Sequence, residues 1–213
     1  MDVLCKILMM VAAYLMGSIP SGYWIVKKKK GIDIRTVESG SMGATNVSRL
    51  LGWHTGIAVV AADFLKGFIP TSVAIGFWGI NWFVGLVGFF AVLGHVFPAL
   101  VPPPRFKGGK GVATTIGVLV SLLTFLLVLH PYYWLLGAVG GIIALWVAVL
   151  RAFRRMSLAS LVLMVSVILF FGASEFLVVN SDLIIFVLMI AGLVFAAHRE
   201  NIQRLKAGKE RTM

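Results

Sequence analysis

Apolar residues in this chain fall in long blocks separated by short polar stretches, with no sustained alternation of the kind a half-buried strand would show. Seven blocks, at about 3–26, 56–78, 82–101, 112–129, 132–150, 157–172 and 176–197, carry few charges. They reach or approach the roughly 17–25 residues that a helix needs to cross a bilayer. Each predicts a membrane helix. The first is interrupted by Gly17-Ser18-Ile19-Pro20-Ser21-Gly22, and Pro20 predicts a kink or a loosened turn there, because proline supplies no backbone N–H. With Lys6 near its start this block has some look of a signal peptide, but its broken apolar stretch and the spans that follow make it a retained helix.

The polar stretches then orient the helices. Lys27, Lys28, Lys29, Lys30, Arg35 and Arg49 lie between the first two blocks. Arg105, Lys107 and Lys110 follow the third, Arg151, Arg154 and Arg155 the fifth, and five more basic residues fill the tail. The alternate loops, around 79–81, 130–131 and 173–182, hold none. Lys and Arg accumulate on the cytoplasmic side. Seventeen of the nineteen basic residues thereby fall on one side, all but Lys6 and Lys66. The expectation is an all-α integral membrane protein with seven transmembrane helices, N-terminus outside and C-terminus cytoplasmic, forming a single polytopic domain over 1–213 in the cell membrane.

Composition agrees with that class. The 213 residues are 60% hydrophobic and 13% charged, with a mean hydropathy of +0.99, too apolar for an ordinary soluble domain. The net charge of +11 sits in clusters between apolar blocks, so a bilayer is the expected partner and nucleic acid is not. The lone Cys5 excludes a disulfide framework and a cysteine metal site. No ligand-like group of His, Asp and Glu occurs, and neither metal nor cofactor is expected.

Three polar segments converge on the predicted cytoplasmic face. The first, Val37 to Arg49, offers hydroxyls, an amide and a guanidinium, a set suited to gripping a phosphorylated polyol, although a solvated turn would read the same way. The second is Phe106-Lys107-Gly108-Gly109-Lys110-Gly111-Val112-Ala113-Thr114-Thr115. Glycines permit close backbone approach, and N–H groups, ammoniums and a helix N-terminus all favour phosphate. It is not a P-loop, since Gly111 stands where Ser or Thr would follow the lysine. A basic loop touching lipid headgroups is the alternative. Gly94-His95-Val96-Phe97-Pro98 precedes it. The third segment, His198 to Leu205, would place His198, Asn201 and Ile202 on one face if it stays helical, with Arg199 and Gln203 turned away.

Together these segments resemble the bacterial acyl-phosphate-dependent glycerol-3-phosphate acyltransferases, the PlsY family of integral membrane enzymes that begin phospholipid synthesis. The resemblance is carried by Ser39-Gly40-Ser41-Met42-Gly43-Ala44-Thr45-Asn46 with Arg49, by Gly94-His95 through Phe106 to Thr114, and by His198-Arg199-Glu200-Asn201-Ile202, and it extends to Asp63-x-x-Lys66-Gly67. Two departures stand out: Ser41 replaces the family's usual asparagine, and Pro102-Pro103-Pro104 is inserted before the lysine loop. The resemblance implies transfer of an acyl chain from acyl phosphate to glycerol 3-phosphate, giving lysophosphatidic acid and phosphate. Lys110, His198 and Asn201 are then the expected catalytic residues. Ser39, Gly40, Thr45, Asn46, Arg49, Lys107, Gly108, Gly109 and Gly111 are expected to bind substrate, with His95, Asp63 and Lys66 as support behind them.

The residue types suit that chemistry in their own right. An acyl phosphate is already activated and needs no enzyme nucleophile, only positioning and stabilisation of the leaving phosphate. Two phosphates call for several cations and few carboxylates. The acceptor proton can go to His198, with an ordinary pKa of about 6.5, or to a substrate phosphate oxygen. Asp63 and Lys66 read first as a structural ion pair tying the second span to its neighbours, and otherwise as a source of positive potential below the site. His95 reads as a cap on the third span, and His54 and His130 as interfacial residues. Two rival classes are a transporter or channel for organic phosphates, for which no convincing internal repeat is present, and a CoA-dependent acyltransferase. The latter resemble one another in a His-x-x-x-x-Asp pair, and none of the four histidines has Asp five residues on.

Overall fold

The computed structural model describes residues 2–102, 108–129, 133–175 and 182–212. Among them all regular structure is helical and no strand occurs. The chain forms two compact units, Met1–Leu122 and Leu123–Met213.

The first unit begins with α1 (Asp2–Gly17) and α2 (Ser21–Lys30), two parts of the first predicted span. The break falls at the expected place. Pro20 has no N–H to offer, and Ser18 closes α1 by turning both its N–H and its hydroxyl onto the Tyr14 carbonyl. α3 (Ala44–Leu51) is a short surface helix. α4 (Trp53–Trp78) and α5 (Trp82–Val96) are joined by a turn in which the Asn81 side chain caps α5, accepting from the N–H groups of Phe83 and Val84. α6 begins at Val112 and runs to Leu129.

Close helix approach explains the glycines of these spans. A side-chain carbon at Gly94 would lie 2.1 Å from the Tyr14 carbonyl oxygen, and one at Gly17 would lie 2.1 Å from that of Ala91, so α1 and α5 cross backbone to backbone. α4 and α6 cross in the same way through Gly67 and Gly117, and the Ser72 and Ser121 hydroxyls bond across them at 2.8 Å. At the polar end, Tyr23, Val26, Ile34, Met42, Val47, Val59 and Val101 form an apolar cluster beneath the loops.

The second unit holds α7 (Trp134–Phe153), α8 (Met156–Glu175), α9 (Asp182–Ala197) and α10 (Arg199–Lys206). α8 packs on both α7 and α9. The chain bends by 60° between α9 and α10, so the last apolar block does not continue straight into the tail as a single rod.

Among the described residues, four helical segments are long and apolar enough to cross a membrane, with α1 and α2 taken together as one, and five if the bent α9–α10 pair also counts as one. α5 and the apolar part of α6 are shorter. The third block was expected to run to 101 but its helix stops at Val96, as the residue before Pro98 is held out of the helical region. The predicted edges at 78 and 129 coincide with helix ends.

Candidate functional site

In the first polar segment, loop geometry is organised by one amide. Asn46 is 1% exposed. Its Nδ2 donates to the carbonyl of Ser41 at 2.9 Å and, at longer range, to those of Val37 and Ile34, while Oδ1 accepts from the Ser39 N–H. Glu38 and Gly40 take positive φ at 53° and 65°, which turns the chain tightly enough to surround that side chain. Ser39 and Thr45 are half-buried and Arg49 is exposed. The same face is braced by Arg35, which pairs with Asp33, lies over the Tyr23 ring and donates to the Pro102 carbonyl. Its hydrogen bond holds the Asp33 carboxyl below its ordinary pKa, against the cost of burial.

The glycine-lysine loop is fastened to the last turn of α5. Gly108 N–H donates to the Val96 carbonyl and Gly109 N–H to that of His95, each at 3.1 Å. Beyond Lys110, Gly111 adopts a φ of 80°, and its carbonyl accepts from both the N–H and the hydroxyl of Thr115 at 2.8 Å, starting α6. Lys110 is half-buried rather than fully solvated. Lys107 and the stretch 103–107 lie outside the described residues, as does His130.

Below the loop sits a buried polar group. Asp63 and Lys66 pair at 2.5 Å and are 3% and 5% exposed. Ser21, the first residue of α2, donates its hydroxyl to Asp63 at 2.8 Å and accepts from Lys66 at 3.0 Å. His95 turns its ring inward, Nδ1 3.8 Å from the same Asp63 oxygen, and so does not cap its helix as expected. Ser21, Met42, Asp63, Lys66, His95 and Gly109 all line one small recess. The first two polar segments therefore flank a common hollow with charged residues at its floor. His54, by contrast, is exposed and stacks on Trp53.

In the second unit, His198 stands at the bend before α10 and is 1% exposed. Its Nδ1 is 2.8 Å from the Val194 carbonyl. A carbonyl only accepts, so Nδ1 carries the hydrogen and a neutral ring presents Nε2 as an acceptor. Asn201 is buried on the same face, while Arg199 and Gln203 are exposed. Asn201 Nδ2 donates to Glu210 Oε1 at 2.6 Å, the Ser157 hydroxyl donates to that oxygen at 2.8 Å, and Arg204 Nε donates to Oε2 at 2.9 Å. Burial pushes the Glu210 carboxyl up, yet the three donors outweigh it and hold the group below its ordinary value.

A family model described as glycerol-3-phosphate acyltransferase matches residues 7–208. The chain belongs to the glycerol-3-phosphate acyltransferase family. A glycerol-3-phosphate acyltransferase of Aquifex aeolicus is 39% identical to it over 209 residues, covering 95% of this chain and 96% of its own. The one from Geobacter sulfurreducens is 37% identical over 206 residues, covering 96% of each. Among solved structures, PlsY, described as an integral membrane glycerol 3-phosphate acyltransferase, matches in its glycerol 3-phosphate form with a TM-score of 0.85. Identity there is 36%, over 98% of this chain and 96% of that one. Its lysophosphatidic acid form matches with a TM-score of 0.81 and 34% identity, over 98% and 95%. This family member is thus a multi-pass, all-helical membrane protein.

Within this glycerol-3-phosphate acyltransferase family member, Gly108, Gly109, Gly111 and Lys110 share a unit with Ser39, Gly40, Thr45, Asn46 and Arg49, and also with His95, Asp63 and Lys66. His198 and Asn201 belong to the other unit. Sequence reasoning passed over Ser157 and Glu210, which surround Asn201. The one available signal was a second carboxylate, after Glu200, amid five basic tail residues, where an acid has partners at hand.

Proposed function

We propose that this chain transfers an acyl group from acyl phosphate to the hydroxyl of glycerol 3-phosphate, at the cytoplasmic face of the cell membrane, giving lysophosphatidic acid and phosphate. The observation that carries this is full-length likeness to a family with structures in a glycerol 3-phosphate and a lysophosphatidic acid form. The family match runs through both units, which supports treating 1–213 as one acyltransferase domain. A transporter of organic phosphates finds no support among these relatives.

In the reaction the acceptor oxygen attacks the acyl carbonyl, the bond from that carbon to the phosphate oxygen breaks, and phosphate departs with the electron pair. Lys110 stabilises the charge gathering on that phosphate, carried on a loop whose Gly108 and Gly109 N–H groups are bonded to the Val96 and His95 carbonyls and whose Gly111 starts α6. Lys107 joins it more weakly. Ser39, Gly40, Thr45 and Arg49 hold glycerol 3-phosphate, and Asn46 shapes their loop. The acceptor proton goes to His198 Nε2 or to a substrate phosphate oxygen. The Nδ1 bond to Val194 supports the first route, because it leaves Nε2 as the acceptor. Asn201, held by Glu210, completes the catalytic set.

Seven spans with the C-terminus cytoplasmic remain our reading of the topology. Fifteen-residue α5 is only about 22 Å long at 1.5 Å per residue. It packs against both α1 and α4, and non-spanning backbone at membrane depth is tolerated where protein covers it. A periplasm-dependent reporter should be silent after Met213 and active near Ser174; the opposite pattern overturns the orientation.

The activity is tested by incubating purified protein with glycerol 3-phosphate and acyl phosphate, following released phosphate and lysophosphatidic acid. Acyl-CoA should support little or no transfer. Robust turnover with acyl-CoA alone would overturn the assigned donor.

A further inference from the structure

The bare positions of the glycine-lysine loop face His95 rather than open space. A side-chain carbon at Gly109 would lie 2.0 Å from His95 Nε2, and one at Gly108 would lie 2.1 Å from the His95 carbonyl oxygen and 2.6 Å from that of Val96. Both contacts are far inside van der Waals range, so in this structure the two glycines are what let the loop settle on the last turn of α5. The ring beneath them is 8% exposed. On its far side stands Asp63, which is itself fixed by Lys66 and by Ser21. A continuous series of contacts therefore runs from the buried ion pair, through the imidazole, to the backbone of Gly109. Lys110 comes next, and Gly111 immediately after it is locked into the start of α6.

We propose that His95 is a positioning residue: seated on the Asp63–Lys66–Ser21 group, its ring sets the height of Gly108–Gly109 and thereby aims Lys110 at the leaving phosphate. The inference rests on the acyl-transfer reading for its kinetic test but not for its structural one. His95 need not exchange a proton or touch substrate. Its work is steric, which separates it from His198. The glycine at 109 then answers to the imidazole and not to the ligand. That reverses the usual reason for a bare residue in a phosphate-binding loop.

The test is a double-mutant cycle on the full-length protein, with folded fraction checked by size exclusion and thermal unfolding. Gly109→Ala alone should lower kcat/KM about tenfold or more, since the ring must shift. His95→Ala should lower it comparably while changing KM for glycerol 3-phosphate less than kcat. In the His95→Ala background, Gly109→Ala should cost less than about twofold further, because the space it needs has been opened. His95→Asn, which keeps a flat polar group over Asp63, should recover part of the loss. If the two single losses multiply in the double variant, the glycine is bare for the ligand's sake and the proposal fails. Hydrogen–deuterium exchange reads the same point without turnover. His95→Ala should speed exchange of the Gly108 and Gly109 amides about tenfold, and unchanged exchange overturns the positioning role. Absence of transfer in the parent would count against the acyl-transfer reading alone, leaving the exchange result to decide the role of His95.

Discussion

Removing the Asp63 carboxylate should expose how much of the first unit rests on one buried pair. Asp63 and Lys66 are both nearly inaccessible, at 3% and 5% exposed, and the Ser21 hydroxyl lies in hydrogen-bond contact with both. Asp63→Ala strands an ammonium without its counter-charge, which costs about 3–5 kcal/mol, and a hydroxyl without its acceptor adds about 1 kcal/mol. Replacing both charges, as Asp63→Leu with Lys66→Met, removes the stranded ion and should return stability to within about 1 kcal/mol of the parent, or above it. Unfolding in mixed micelles with a denaturing detergent, followed by tryptophan fluorescence, would measure both. A loss under about 1 kcal/mol for Asp63→Ala would mean that water reaches the pair, and the reasoning from burial would be wrong. The double variant also separates the two roles the pair was given. If stability returns and turnover does not, the charges serve the site. If both return, the pair is structural only.

Lys110→Ala should lower turnover about 10²–10³-fold while the protein still inserts, with Lys107→Ala milder and Lys110→Arg a poor rescue. Initial rates at saturating substrate decide it, and more than about half the parent rate would make the loop a headgroup anchor. Asn46→Ala should cost about 1–3 kcal/mol through buried carbonyls left unpaired and raise KM for glycerol 3-phosphate more than it lowers kcat; an unchanged KM would remove Asn46 from loop shaping. Because the folded Glu210 carboxyl titrates below its ordinary value of 4.5, its stabilising contribution is present above that pH and lost as pH falls through the lowered value. Glu210→Gln should therefore destabilise at neutral pH by about 1.5–3 kcal/mol and flatten the acid side of the stability profile, read by thermal unfolding across pH 3–7.

Much of the helical layout was legible because a membrane span is a one-dimensional property. Length, mean hydropathy and proline position decide it, and none needs a tertiary partner. The break at Pro20, the start of α6 at Val112 and the end of α4 at Trp78 follow from local composition. What local composition does not contain is where a chain turns against another part of itself. The 60° bend at His198 interrupts a segment whose sequence reads as one helix, since His198, Arg199 and Glu200 include no proline or glycine.

The candidate site divides along the same line. Residue types announced its chemistry: cations for phosphate, hydroxyls for a polyol, a histidine for a proton. Side-chain hydrogen-bonding capacity, however, is a finite quantity, and sequence does not say who consumes it. Asn46 looked like a ligand for substrate, but its amide is engaged by Ser39, Ser41, Val37 and Ile34 of its own segment. Asn201 likewise spends its donor on Glu210, a residue nine positions on that no helical spacing would pair with it. Gly108 and Gly109 looked bare for the sake of a phosphate, and the nearest obstruction to a side chain there is His95. In each instance the polar or glycine residue is committed to holding a neighbour in place. The neighbours so held are Ser39, His198's companion face and Lys110. The division of labour follows residue type: neutral amides and bare glycines build the loops, and the lysine those loops carry supplies the kind of charge that a departing phosphate calls for.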